Sequence, residues 1–135
     1  MTNVGVIGGG LIGASWAAIF SKSGFKVYVY DSHPTVFETY MERVKLFLEE
    51  LKSIDKDIDI EESLDRISSN VSIEELCSKV DYIQESAPEI LSVKQELFAK
   101  LDILSPEHVV IGSSSSSMPI SKITQNLKGQ HRCLI

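Results

Sequence analysis

A doubly wound, parallel α/β sheet is the fold class that the sequence predicts. Short apolar runs rich in valine and isoleucine alternate with stretches of helical period along the 135 residues. Such alternation builds parallel sheets with helices on both faces. Gly8, Gly10 and Gly13, in GxGxxG spacing, join the first apolar run to the first helical stretch. A carboxylate, Asp31, closes the second run eighteen residues after Gly13.

Residues 4–7 read as the first strand and residues 11–23 as the first helix. Between them each glycine has a physical task. Gly8 lets the chain turn sharply out of the strand. Gly10 removes the side chain where a pyrophosphate would approach the backbone, and Gly13 lets the helix lie close on the strand. The helix then aims its unpaired N–H groups, those of Leu11 and Ile12 among them, at the phosphates. GxGxxG also occurs in βαβ units that hold no nucleotide. Here the strand, turn and helix are followed by Asp31, whose carboxylate can accept from both ribose hydroxyls of an adenosine. Asp31 would repel a 2′-phosphate, and its neighbours Ser32 and His33 offer no arginine to hold one. NAD is therefore expected over NADP.

The remaining elements follow in order. Gly24 stops the first helix, whose Ile12, Trp16, Ile19 and Phe20 form an apolar stripe. Gly13, Ala14, Ala17 and Ala18 permit close packing, and Trp16 reads as core rather than as a platform for the cofactor. Residues 26–30 are the second strand. Pro34 then opens a long helix running to about residue 53 on the period of Phe37, Tyr40, Met41, Val44, Leu48 and Leu51. Residues 54–62 alternate isoleucine with acids and read as a connection. Asp55, Asp57 and Asp59 lack the glycine of a calcium loop, so no metal is expected. A short helix over 64–67 precedes a third strand within 67–71, and Ser72 to Glu75 form a capping box. Residues 80–85 are the fourth strand. The segment 86–89 starts a helix with Ile90, Val93, Leu97, Leu101 and Leu104 on one side, ended by Ser105 and Pro106. A fifth strand, 109–112, runs into five serines, Ser113 to Ser117. A short helix with Ile120, Ile123 and Leu127 stops at Gly129, and residues 132–135 begin a sixth strand.

Composition bounds the function. A hydrophobic fraction of 43% and a charged fraction of 24% are those of one ordinary globular domain. The net charge of −6, with no basic block, argues against a nucleic-acid partner. No apolar run is long enough to cross a membrane, and a strand starting at Asn3 leaves no room for a signal peptide; the expected location is cytoplasmic. Cys77 and Cys133 have no CxxC spacing. They read as two free thiols, with a disulfide open only if the fold brings them together.

Beyond the glycine turn, the strings GGGLIGASWAAIFSKSGFKVYVYD, DYIQESAPE, IGSSSSSMPISK and HRCLI resemble the N-terminal domain of the 3-hydroxyacyl-CoA dehydrogenase family. The SWA after the third glycine resembles the branch that holds L-gulonate 3-dehydrogenase (lambda-crystallin) and carnitine dehydrogenase. The resemblance covers essentially the whole chain. It implies a Rossmann-type NAD-binding fold, with Gly8, Gly10, Leu11, Ile12, Gly13 and Asp31 at the cofactor. Glu89 and Lys94, five apart, match a pair that the family places against the cofactor; Glu89 also reads as the second half of a capping box with Ser86. Glu85 points toward the same crevice and is a further candidate. Ser116 matches the family's active-site serine, whose hydroxyl bonds the substrate's reacting oxygen. Its alternative is a polar loop with a helix cap at Ser117, the reading favoured for the other four serines.

Two departures shape the functional expectation. The segment between Asp31 and the fourth strand is shorter than the helical tail that helps hold coenzyme A in the acyl-CoA enzymes. The family's catalytic histidine is expected two positions beyond Ile135, in a His-Pro-x-Asn-Pro segment. Residues 1–135 are thus read as the dinucleotide-binding domain, without the helical domain that completes the substrate pocket and the dimer. His33 would sit beside the adenosine end of the cofactor, and His108 and His131 precede strands on the opposite edge, so none reads as the base. The expected function is the NAD-binding half of an oxidoreductase acting on the 3-hydroxyl of a hydroxyacyl or hydroxy-acid substrate, the chain alone being inactive. The alternatives are a free-standing dinucleotide-binding or regulatory module and a structural use of the fold. Uncovered apolar surface near the last two strands predicts self-association.

Overall fold

Six strands form one sheet in the order β3-β2-β1-β4-β5-β6, every neighbouring pair parallel. The computed structural model describes residues 3–135. The strands are β1 Asn3–Ile7, β2 Lys26–Tyr30, β3 Ile67–Ser68, β4 Tyr82–Glu85, β5 Val110–Ser113 and β6 Cys133–Leu134. The helices are α1 Leu11–Lys22, α2 Tyr40–Ile54, α3 Ile60–Asp65, α4 Ile73–Lys79, α5 Leu91–Leu104 and α6 Ile120–Ile123. The predicted fold class is the one observed.

Side chains alternate across each strand and so feed two cores. Val6, Val27 and Val29 pack with Ala14, Ala17 and Ala18 of α1 and with Tyr40, Val44 and Leu48 of α2. Ile7, Ile83 and Ile111 pack on the other face with Leu76 and Cys77 of α4 and with Phe98 and Leu101 of α5. Both faces are thus covered, as an all-parallel sheet requires. Cys77 and Cys133 are free thiols, and burial pushes both up from the ordinary thiol range.

Register sets the working edge. Ile7 stands beside Tyr30 on one side and Glu85 on the other, and Glu85 stands beside Ser113. Four strands therefore end in one row. The chain leaves β1 for β2 on one side, whereas β4 lies on the other. That reversal opens a crevice at the carboxyl ends, where ligands bind in sheets of this kind.

The structure corrects several local expectations. The long helix predicted from Pro34 is broken: residues Pro34–Glu38 form a 3-10 turn and α2 starts only at Tyr40. The connection at 54–62 is also shorter than expected, because Asp59 caps α3 by accepting from the Glu62 N–H at 3.0 Å. On α1 the buried face is Gly13, Ala14, Ala17, Ala18 and Ser21, whereas Ile12 and Ile19 are exposed. Small side chains win that face because they let the helix approach the sheet. On α5, Lys94, Phe98 and Leu101 turn inward while Val93, and Ile90 just ahead of the helix, are exposed. Of the capping box expected at Ser72 the serine's half forms, Glu75 N–H donating to its hydroxyl at 3.1 Å, whereas the Glu75 carboxylate accepts from Lys79 Nζ at 2.7 Å.

Candidate active-site crevice

Gly8 has φ +108°, a conformation natural to glycine, and a Cβ there would lie 2.5 Å from the Ser86 carbonyl oxygen. A Cβ on Gly13 would lie 1.8 Å from the Gly8 carbonyl oxygen. These two glycines are demanded by the fold itself. Gly10 differs: a Cβ there would meet nothing within 4 Å. The fold has no need of a glycine at this position, so the open space is available to a ligand. Gly10 precedes α1 with no side-chain cap, and the first turn of the helix holds no acid. Leu11 and Ile12, 64% and 57% exposed, present that uncompensated positive end to the crevice.

Asp31 closes the turn. Its Oδ2 accepts from the Gly9 N–H at 2.7 Å and its Oδ1 from the His33 N–H at 2.8 Å. The carboxylate is thereby fixed, and each oxygen keeps acceptor capacity for a ribose hydroxyl. The Gly9 carbonyl is held as well. Arg43, from α2, donates to it from Nη1 at 2.9 Å and to Thr39 Oγ1 from Nη2 at 3.3 Å. Sequence reasoning missed this arginine, because it lies twelve positions after Asp31, beyond a 3-10 turn.

The second wall is built from β4 and β5. Glu85 and Lys94 form a buried ion pair at 2.7 Å, with side chains 0% and 1% exposed. Glu85 Oε1 also accepts from the Ala87 N–H at 2.6 Å, and Oε2 accepts from the Ser113 hydroxyl at 2.5 Å. Lys94 further donates to the Ala87 carbonyl at 3.1 Å. Both carboxylate oxygens of Glu85 and two of the three Lys94 N–H groups thus have partners, and the buried charges are paired. Lys94 thus lies beneath the 85–89 loop with Glu85 as its ion partner, while Glu89, the residue five positions before it, turns to the serines. Glu89 accepts from the Ser115 hydroxyl at 2.6 Å and the Ser116 N–H at 3.3 Å. The Ser115 bond, with the Ser116 N–H and the charge of Lys94, outweighs burial and holds the Glu89 carboxyl below the usual carboxylate range.

Two sequence alternatives do not form. Ile90, without a side-chain bond, precedes α5, so Ser86 and Glu89 make no capping box. Pro119, not Ser117, precedes α6, and the local turn is closed by Ser115, whose hydroxyl accepts from the Met118 N–H at 3.1 Å. Ser116 is exposed at the head of this loop, and among the described residues its hydroxyl has no hydrogen-bond partner. Ser114 links the two walls. Its hydroxyl accepts from Trp16 Nε1 at 3.2 Å and Gln84 Nε2 at 2.8 Å, and pairs with the Ser86 hydroxyl at 2.8 Å. A lysine inside the buried stripe of α5 was the one signal that could have revealed the partnership with Glu85.

The histidines stand apart from this wall. His33 lies by Asp31 with its ring largely exposed, His108 lies by Asp81 ahead of β5, and His131 sits in the 3-10 turn Gln130–Arg132 before β6.

Comparison with known proteins identifies relatives of the whole described chain. The family profile described as "3-hydroxyacyl-CoA dehydrogenase, NAD binding domain" matches residues 3–135. Lambda-crystallin of Oryctolagus cuniculus is 35% identical over 133 residues, which cover 96% of this chain and 42% of that protein. L-carnitine dehydrogenase of Streptomyces coelicolor is 30% identical over 134 residues, covering 98% of this chain and 41% of that protein. The crystal structure of 3-hydroxybutyryl-CoA dehydrogenase from Escherichia coli K12 superposes with a TM-score of 0.87 at 27% identity, covering 98% of this chain and 28% of that one. The chain spans about two fifths of the length of these curated relatives.

Proposed function

Since the chain belongs to the 3-hydroxyacyl-CoA dehydrogenase family through its NAD-binding domain, we propose that it holds NAD for the oxidation of a secondary alcohol on a hydroxyacyl or hydroxy-acid substrate. The observation that carries this reading is Ser116. Its N–H is tied to Glu89, while the residue is exposed beyond the carboxyl end of β5 and its hydroxyl has no partner among the described residues. A hydroxyl so placed is suited to bond the reacting oxygen of a substrate.

The residues present fit the cofactor. The space beside Gly10 admits a pyrophosphate, the start of α1 meets its charge, and Asp31 has acceptor capacity for the ribose. Glu89 lies on the wall beyond the turn, and Lys94 supports that wall from below through Glu85. When bound, NAD supplies the acceptor for the hydride. Ser116 orients the alcohol oxygen, and the proton leaving that oxygen needs a base. None of His33, His108 and His131 shares the Ser116 loop, and Ser116 itself is a poor proton acceptor.

The 135-residue chain is therefore expected to bind NADH in calorimetry and to show no dehydrogenase turnover. General acid–base catalysis contributes about 10²–10⁴-fold, and positioning by a substrate pocket about 7–11 kcal/mol. The assay follows NADH with 3-hydroxybutyryl-CoA, L-gulonate and L-carnitine. Absence of NADH binding would refute the reading. Turnover of about one per second, within the usual range of enzymes, would show that the base comes from this chain.

A further inference from the structure

On the α1 side of the sheet, three polar side chains meet at one serine oxygen. Ser114 Oγ lies 3.2 Å from Trp16 Nε1, 2.8 Å from Gln84 Nε2 and 2.8 Å from Ser86 Oγ. The other amide atom of Gln84 lies 2.5 Å from the Tyr82 hydroxyl. That separation is natural for O–H···O and too short for N–H···O. The amide therefore turns its oxygen to Tyr82 and its NH2 to Ser114.

These contacts fix the direction of each proton. A serine hydroxyl can accept two hydrogen bonds and donate one. The Trp16 N–H and the Gln84 NH2 can only donate, so both acceptor positions of Ser114 are taken. The Ser114 proton goes to Ser86, the one partner left. Ser86 receives that bond, and among the described residues nothing accepts its own proton. The half-buried Ser86 hydroxyl is thus held as a donor.

Ser86 is the first residue beyond β4. Its N–H donates to the Ile7 carbonyl at 2.7 Å, and its own carbonyl lies against Gly8. It stands where the strand order reverses, on the β4 side of the glycine turn. Asp31, on the β2 side, suits the adenosine ribose, and the turn suits the pyrophosphate. The other half of the dinucleotide then extends toward the end of β4. We propose that Ser86 donates a hydrogen bond to an acceptor oxygen on the nicotinamide half of the cofactor. Trp16, Gln84 and Ser114 are the positioning residues that aim its proton. The inference rests on the dinucleotide reading of the crevice and adds a side chain that the glycine motif does not include.

The test is calorimetry with NADH and with ADP, which lacks the nicotinamide riboside; ADP binding also reports that each variant is folded. Ser86→Ala is expected to weaken NADH about three- to tenfold, the worth of one hydrogen bond, and to leave ADP unchanged. Ser86→Thr keeps a hydroxyl and should keep most of the affinity. Trp16→Phe frees one acceptor position on Ser114, so that Ser86 can turn its proton inward. NADH should then weaken, although only an N–H bond to Ser114 is lost. That effect is expected to vanish in the Ser86→Ala background, as coupling between the two residues requires. No loss of NADH affinity in Ser86→Ala, an equal loss for ADP, or a Trp16→Phe effect that is absent or persists in Ser86→Ala would each overturn the proposal. Failure of the unaltered chain to bind NADH would instead overturn the cofactor reading, and this inference with it.

Discussion

The crevice shows how differently two glycines of one motif are constrained. Gly13→Ala drives a methyl group against the Gly8 carbonyl, so the turn itself must move. Gly10→Ala meets no protein atom within 4 Å, and its φ of −76° is open to any residue. Gly10→Ala is expected to melt within a few degrees of the parent and to lose NADH binding, whereas Gly13→Ala should lose both stability and binding. Thermal melts beside calorimetry check the pair, and NADH binding by Gly10→Ala at parental affinity would show that no pyrophosphate lies there. Lys94 makes a different case. Its removal leaves Glu85 buried with its charge uncompensated, a loss of about 3–5 kcal/mol. Lys94→Ala should therefore unfold at a much lower urea concentration, while Lys100→Ala, on the exposed face of the same helix, should not.

At the scale of elements, the end of α5 is held by one arginine. Arg132 donates to the carbonyls of Asp102 at 2.9 Å and Pro106 at 2.5 Å, and its Nη2 pairs with Asp102 Oδ1 at 2.8 Å. The Gly129 N–H adds a bond to the other carboxylate oxygen at 3.2 Å. The Asp102 carbonyl at the end of α5 is thus met by the 3-10 turn ahead of β6. Burial by itself pushes the Asp102 carboxyl up. The Arg132 hydrogen bond, the Gly129 N–H and the charges of Arg132 and His131 together outweigh it and hold the carboxyl below its ordinary value. A carboxyl lowered by folding contributes stability that is complete above the unfolded pKa of about 3.9 and is lost as pH falls through the folded value. The melting temperature of the parent should accordingly drop more steeply below about pH 4 than that of Asp102→Asn. Parallel curves in that window would show that this clamp carries no such linkage.

For the whole molecule, the unequal covering of the sheet matters most. Both faces of β1 and β4 are packed, but Ile90 ahead of α5, Val93 in its first turn, and Leu134 and Ile135 at the last strand stay exposed. Exposed apolar groups of this size mark an association surface or an aggregation liability. Self-association is the expected behaviour at high concentration, weakened by Val93→Glu and Leu134→Glu together. Light scattering after size exclusion measures it, and a monodisperse parent monomer would contradict the expectation.

What the sequence determined by itself was set by local chemistry. Turn glycines, the Ser72 cap, valine-rich strands and the acid closing β2 each act on backbone within a few residues, and the parallel order of the sheet follows from their alternation. Where local signals compete, the reading failed. Pro34 does start a turn of helix, but the chain breaks at Thr39 so that Tyr40, Val44 and Leu48 can meet α1. Periodicity could not say which face of α1 lies on the sheet, because close approach favours alanine over larger side chains there. Partnerships across the fold were out of reach for the same reason. The resemblance pairs Glu89 with Lys94, and only the fold gives Lys94 to the buried Glu85 and leaves Glu89 to the serines. Arg43 reaches the glycine turn because α2 crosses α1, a contact that no spacing in the sequence encodes.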